Sequence, residues 1–479
     1  MRILSTKVWA PVLLALFALC LPVAQAQTQP QQSASSSQPL PPLSPVASSS
    51  DGQSGSSNQK SDQEPASPIL TGPQVITGAF PQRAGASAEA VSRLLAGFNV
   101  SEVYTTNVFN ATLNPVPDEV TNVGGYFDYE RARQTTDLNI RYAGQGSFYA
   151  QNPSLNNTTQ DFEVSDILQF RRWKLRVDDL FSYLTQSSFG FVNGAPAPPV
   201  NNQGGGAAGG QTIFLPYVRR YTNSLLGQAD VNLSPRSALS FTGNYLNLHY
   251  LDPGFVDTLL TDLTAGYNYS LTSKNTVGVQ YDFTAIRYNP VVASINTNTI
   301  LFMYGYNLNP QLNLTVGVGP EFASYTPQGA TAATNFTVLN ATARMDYVFK
   351  TSGMTVAFYR GVGGGSGIIA GTVSNVVQLS GWHQFNRNWT VNAAGGSALN
   401  TSLPQVAGIN NLYISSYLVA GVTRQLGRRA SFYVNYEVLR QTTGTANVCG
   451  LGVLCPGRFI TNQVWIGFSY NMRPIGFMN

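Results

Sequence analysis

The sequence predicts an all-β protein: a transmembrane antiparallel up-and-down β-barrel of 16–18 strands, preceded by a disordered tether. Three observations carry this expectation. Charged residues make up 10% of the 479, against about 25% in ordinary soluble proteins. Apolar and polar residues alternate two-fold over long stretches, as in TVGVQYDFTAIRY from Thr276, where Val277, Val279, Tyr281 and Phe283 oppose Gly278, Gln280, Asp282 and Thr284. Those stretches also recur in pairs around polar turns.

The first element is an export signal over residues 1–26. Arg2 and Lys7 give the positive region, Val8 to Leu21 the apolar core, and Ala24-Gln25-Ala26 the small-residue cleavage pattern. A lipid anchor on Cys20 is disfavoured, because the bulky Leu19 stands before it. Removing Arg2 and Lys7 from the 27 basic residues leaves 25 against 23 acidic ones. So even a balance lacks the dense basic face of a nucleic-acid partner. Past the signal, no apolar run reaches the roughly 18 residues of a membrane helix.

Residues 27–75 are Ser, Gln and Pro with little to bury, which cannot offset the entropy of ordering, so a disordered tether is predicted. Residues 76–97 form a lead-in. Within it, 86–97 (ASAEAVSRLLAG) spaces Val91, Leu94 and Leu95 for a short helix, read as a turn leading into the first strand in preference to a plug inside the barrel.

The barrel is predicted over 98–479. The apolar residue before each polar turn is Leu233, Leu271, Leu308, Phe349, Phe385 and Leu426, at intervals of 38, 37, 41, 36 and 41 residues. Earlier turns fit near Arg131–Gln134 and Phe170–Trp173. Two strands of about 10 to 14 residues, a tight turn and a longer loop fill such a unit, and a tilted membrane strand needs about 9 to 11. Propeller blades share the period but carry shorter strands, and helical repeats would space apolar residues by three and four. A soluble sandwich would show a charged outer face. Here the polar faces are Asn, Thr, Ser, Gln and Gly, and the apolar faces are rich in aromatics. Lipid requires a closed sheet, so the apolar side is expected to face hydrocarbon. Eight turns give eighteen strands. Sixteen is nearly as acceptable, because 98–108 with 122–131, 214–231 and 371–385 alternate poorly. Either even number puts both ends on the periplasmic side.

At this point FNVSEVYTTNVFN (98–110), followed by GGYFDYERARQTTDLNIRYAG (124–144), resembles the opening of the β-barrel porin families of Gram-negative outer membranes. Members begin with a similar strand ending in Thr-Asn or Asp-Asn and continue through Arg-containing turns. Some are similar to proteins associated with exopolysaccharide export. The resemblance spans 98–479 in architecture on short motifs, and implies a bacterial outer-membrane location and a barrel fold. Gly467, Tyr470 and Met472 fit the usual outer-membrane assembly signal, but Ile466 and the trailing RPIGFMN depart from it. The partners implied are outer-membrane lipid, the outer-membrane assembly machinery, and small hydrophilic solutes or polysaccharide. No oligomeric state is implied.

Candidate chemistry is sparse. His249 is expected at the outer rim and His383 at the periplasmic rim, too far apart to share a site. His249 with Ser240 and Asp252 reads as a rim histidine bonded to a loop rather than a catalytic group. Cys449 and Cys455, in CGLGVLC, are a candidate loop-closing disulfide. Without further Cys or His nearby they make no metal site, and no cofactor is implied. The glycine runs at 203–211 and 361–367 lack the Gly-Lys-Ser/Thr of a phosphate loop and read as flexible loop. The longest outer loop, 187–212, could fold inward to narrow a pore, as the third loop of general porins does; an exposed loop is slightly preferred. Inward-pointing charge is the remaining signal, at Arg141, Lys174, Arg176, Asp262, Asp282, Glu321, Arg344, Asp346 and Glu437. Mixed signs favour bracing of the wall over guidance of solutes. The leading expectation is a porin-like channel for passive or weakly selective diffusion of small hydrophilic solutes. A non-conducting structural or exopolysaccharide-export accessory barrel is the rival, and an enzyme comes third.

Overall fold

The computed structural model describes residues 91–477, apart from 134, 186–190, 193–194, 197–212, 215–217, 291–292, 310, 327–332, 365–366, 368, 404–411 and 444–457. The described residues form eighteen long strands. In chain order these are β1 (Val91–Thr105), β2 (Asp118–Ala132), β3 (Thr136–Tyr149), β4 (Asn157–Gln169), β5 (Trp173–Leu184) and β6 (Arg220–Ser234). There follow β7 (Ser237–Tyr250), β8 (Asp257–Ser270), β9 (Asn275–Asn289), β10 (Ser294–Asn309), β11 (Leu312–Thr326) and β12 (Thr334–Phe349). The last six are β13 (Ser352–Gly363), β14 (Thr372–Asn386), β15 (Trp389–Ser402), β16 (Leu412–Gln425), β17 (Ala430–Thr443) and β18 (Phe459–Asn471).

Each strand pairs antiparallel with its chain neighbours, and β1 pairs with β18 from Gly97↔Asn471 to Thr105↔Gln463, so the sheet closes on itself. Closure removes the bare edges that hydrocarbon cannot solvate. Among the described residues no helix is long and apolar enough to cross a membrane.

The eight tight turns fall where the polar motifs predict them. Several share one device, in which a short polar side chain accepts the N–H groups two and three residues on. Asn309 Oδ1 takes those of Gln311 (3.0 Å) and Leu312 (2.9 Å), and Asn386 Oδ1 those of Asn388 (2.8 Å) and Trp389 (3.1 Å). Thr272 Oγ1 likewise takes those of Lys274 (3.1 Å) and Asn275 (3.0 Å). These acceptors stop the strand and fix the register of the next one.

The alternation read in the sequence is the alternation of faces. Val279 and Tyr281 are exposed on the outer side, while Gln280 between them is buried on the inner side. The same outer face carries Leu263, Phe302, Leu339, Leu418 and Ile466. At the turn end it is rimmed by Trp173, Tyr269, Tyr347, Phe349, Phe385 and Trp389, an aromatic girdle of the kind that sits at a membrane surface.

Two expectations are corrected. The helix proposed over 86–97 is strand from Val91 onward, so the barrel begins seven residues before 98. The Val91, Leu94, Leu95 spacing imitates a helix, but pairing on both edges decides: Leu94 faces Tyr129 of β2 and Ile475. The glycine run at 361–367 is not wholly loop, because Gly361 to Gly363 complete β13. The carboxyl end continues past β18, with a short rung at Ile475–Gly476 and Phe477 N donating to Ser92 O at 2.9 Å. Cys449 and Cys455 lie outside the described residues, as do the signal, the tether and most of 187–212.

Candidate functional site: the lumen and its outer end

The inner face is polar along its middle and apolar toward the loop end. Ser240, Thr242, Asn244, Thr264, Thr297, Thr299 and Thr315 are buried on the inner side of β7 to β11. Toward the loops, Leu246, Leu260, Ile286, Ile295 and Ala323 gather into an apolar cluster with Val256 and Ala293 of the short outer loops.

Two inward-folded segments cross the outer end. Ile213 and Phe214, just before β6, are buried. Ile213 joins a cluster with Leu248 and Tyr250 of β7 and Tyr413 of β16, strands nine places apart in the ring and therefore on opposite walls. Phe214 packs with Val376, Ala394, Ala398, Tyr417, Val419 and Phe459, its ring edge-on to Phe459 at 6.2 Å. The peptide groups of Phe214 need partners in so apolar a place. Gln441 of β17 supplies both, its Oε1 accepting from Phe214 N (2.7 Å) and its Nε2 donating to Phe214 O (3.2 Å). The second segment, before β14, brings Ile369 beside Ile213 and is held by Val256 N donating to Gly367 O at 2.8 Å. Gly367 has φ 76° and presses on the Tyr250 ring, where a side chain has no room. This inward segment begins at Ile213, just past the predicted loop 187–212, most of which, with its glycine run at 203–211, lies outside the described residues.

The charges predicted from sequence fall into two groups. On β2 to β6 acid alternates with base. Arg141 stands in one row between Asp128 and Glu163. Arg176 pairs with Asp178 at 2.5 Å, and Lys174 lies opposite Asp230. Arg344 and Asp346, two apart on β12, pair at 2.5 Å, and Thr355 Oγ1 donates to Asp346 at 2.8 Å. The remaining four carry no such pairing. Asp262 accepts from Thr284 Oγ1 (2.6 Å), Asp282 from Gln280 Nε2 (2.7 Å), and Glu321 from Asn340 Nδ2 and Val362 N (both 3.1 Å). Glu437 is buried in a row with Val419 and Gln463.

Sequence reading missed Asp128, Asp161, Glu163, Asp178 and Asp230 on the same inner face. Their strands alternate poorly, since Ile167 and Leu180 point inward and Asp166 and Asp179 outward. Counting parity from the turn at 170–172, instead of from hydrophobicity, finds them.

The histidines are separate, as expected. His249 Nδ1 is 2.6 Å from Asp257 Oδ2 on the outer face, with its ring against Tyr221. His383 Nδ1 is 2.7 Å from Ser352 Oγ at the turn end. Asp252, expected near His249, instead bonds Arg219 at 2.6 Å.

No protein-family model matches the chain, and no curated protein matches it. Among solved structures it is similar to OccAB4 of Acinetobacter baumannii, at 10% identity and TM-score 0.41, over 80% of this chain and 99% of that one. It is similar to OccK2 of Pseudomonas aeruginosa in complex with glucuronate, at 9% identity and TM-score 0.41, over 80% and 98%. OpdK of Pseudomonas aeruginosa with vanillate gives 11% identity and TM-score 0.41, over 80% and 99%. At such values the likeness carries nothing about this chain's solute.

Proposed function

We propose that this chain is a bacterial outer-membrane channel through which small hydrophilic solutes diffuse, narrowed at its outer end by the Ile213–Phe214 segment. The observation that carries the reading is the pairing of two surfaces on one closed sheet. The outside is apolar and rimmed by aromatics, while the inside is lined with Thr, Ser, Asn and carboxylates. Hydrocarbon selects the first surface and water the second, and a ring of eighteen strands is wide enough for an aqueous path. On this reading residues 1–26 direct export, and residues 27–75 tether the barrel on the periplasmic side. Outer-membrane lipid and the assembly machinery are its partners. The acid–base pairs on β2 to β6 brace the wall.

Single-channel recording of the purified chain in planar bilayers tests it: steady conductance steps are expected. The second reading, a non-conducting structural or export-accessory barrel, draws on the apolar bridge that Ile213, Ile369, Leu248 and Tyr413 make between opposite walls. Folded protein that stays electrically silent would establish it in place of the first.

A further inference from the structure

Five consecutive strands, β7 to β11, form one wall of the lumen, and its charge has a single sign. The inward positions carry Asp262, Asp282 and Glu321 and no lysine or arginine. Between residues 237 and 326 the basic side chains are His249 and Arg287, which share the parity of the outward residues, and Lys274, which sits in a turn. On the adjoining β2 to β6, in contrast, Asp128 and Glu163 flank Arg141, Asp178 pairs with Arg176 and Asp230 lies opposite Lys174.

Register brings the three carboxylates together. Asp262 faces Thr284 and Asp282 faces Thr264, so the two are diagonal neighbours on paired strands. Asp282 and Glu321 both face Thr299, one from either side of β10. Two strand spacings put them about 10 Å apart. Every hydrogen-bond donor given to the three comes from a neutral group: a threonine, a glutamine, an asparagine and a backbone amide.

A second observation concerns unmet acceptors. Asn340, only 6% exposed, gives its Nδ2 to Glu321 and leaves its Oδ1 with no donor. Asp262 Oδ2 is buried and equally bare. Native interiors rarely leave buried acceptors unmet. A visitor that brings both positive charge and several N–H groups satisfies the wall's electrostatics and its hydrogen bonding at once. A bound metal ion is the poorer fit, because among the described residues no three His, Cys, Asp or Glu side chains converge to hold one.

We propose that the β7–β11 wall binds organic ammonium groups, so that the channel prefers cations and takes amines and diamines as solutes. This rests on the channel reading above and names the class of solute.

The test is reversal-potential recording of the full chain in planar bilayers under a KCl gradient, then with putrescine as the probe. Potassium should be favoured over chloride by about threefold or more, as a wall of one sign biases passage, and putrescine should reduce the potassium current. The combined variant Asp262→Asn, Asp282→Asn, Glu321→Gln should lose at least half of both effects. If it does not fold, Asp282→Asn alone is recorded, and the same direction of change is expected. A conducting pore that prefers chloride overturns the proposal while sparing the channel. So does a neutralised variant that keeps full selectivity and block. Silence of the folded wild-type chain overturns the channel itself, and this assignment with it.

Discussion

Gln441 holds Phe214 by both ends of one peptide plane, accepting from its N–H at 2.7 Å and donating to its carbonyl at 3.2 Å, although the two residues are 227 apart in sequence. Gln441 Oε1 also accepts from Ser415 Oγ at 3.0 Å, which fixes the amide's orientation. One side chain thereby holds the Ile213–Phe214 segment against the inner face.

Gln441→Leu keeps the volume and removes both bonds, stranding two buried peptide groups at a cost of about 1–3 kcal/mol. The segment should leave its seat in a measurable fraction of molecules. Single-channel conductance should rise and become noisier. A variant with wild-type conductance would show that Phe214 does not narrow the path.

Leu263 and Thr264 are chain neighbours that face hydrocarbon and lumen respectively. A lysine on the lipid face costs about 2–4 kcal/mol at mid-depth, whereas the inner face accommodates it. Leu263→Lys should therefore lower the yield of folded, heat-modifiable protein on gels, and Thr264→Lys should not. Reversed outcomes would mean that the sheet faces the other way.

At Gly319 an added Cβ would overlap the carbonyl oxygen of Ile300 on the paired strand. Regular pairing of β10 with β11 skips this place, running from Thr299↔Glu321 to Phe302↔Val318, beside Pro320, which has no N–H to offer. Gly319→Ala should cost about 1–3 kcal/mol through the overpacking it forces, read as a lower midpoint in urea. Gly427 has open space where its Cβ would go but a φ of 140°, so its alanine variant tests backbone strain alone.

Arg344 and Asp346 are each about a quarter exposed, 23% and 25%, so solvent screens their pair. It is worth about 1 kcal/mol or less. A double-mutant cycle with Arg344→Gln and Asp346→Asn should return a coupling of that size. A coupling indistinguishable from zero would remove the bracing role at this position.

Strand pairs, turns and the facing of β7 to β11 and β16 to β18 were legible because there period-two hydrophobicity and turn chemistry agree. Tyr433, Asn435 and Glu437 point in while Phe432, Val434 and Tyr436 point out, as alternation alone dictates. Legibility fails where pairing overrides local pattern. Leu94 and Leu95 look helical until Tyr129 and Ile475 are seen on either side. Asp161 and Glu163 lie on a strand whose inner face also carries Ile167, so hydrophobicity misjudges the parity. The seat of Phe214 was illegible for a different reason. Its partner Gln441 is one glutamine among many, and nothing local marks a contact that distant.

The joint between β1 and β18 differs from the other seventeen in kind. Those others join chain neighbours and can form hairpin by hairpin. The last joins Gly97 to Asn471 and is finished by Met472 N on Ala96 O at 2.7 Å and Phe477 N on Ser92 O at 2.9 Å. Until it forms, the growing sheet has two raw margins and nowhere in oil to satisfy them. Assembly is therefore decided at this suture, where a helper that shelters one margin does the most good. A cysteine pair placed across it, at Asn99 and Ser469, should cross-link only in fully assembled molecules and so time the event.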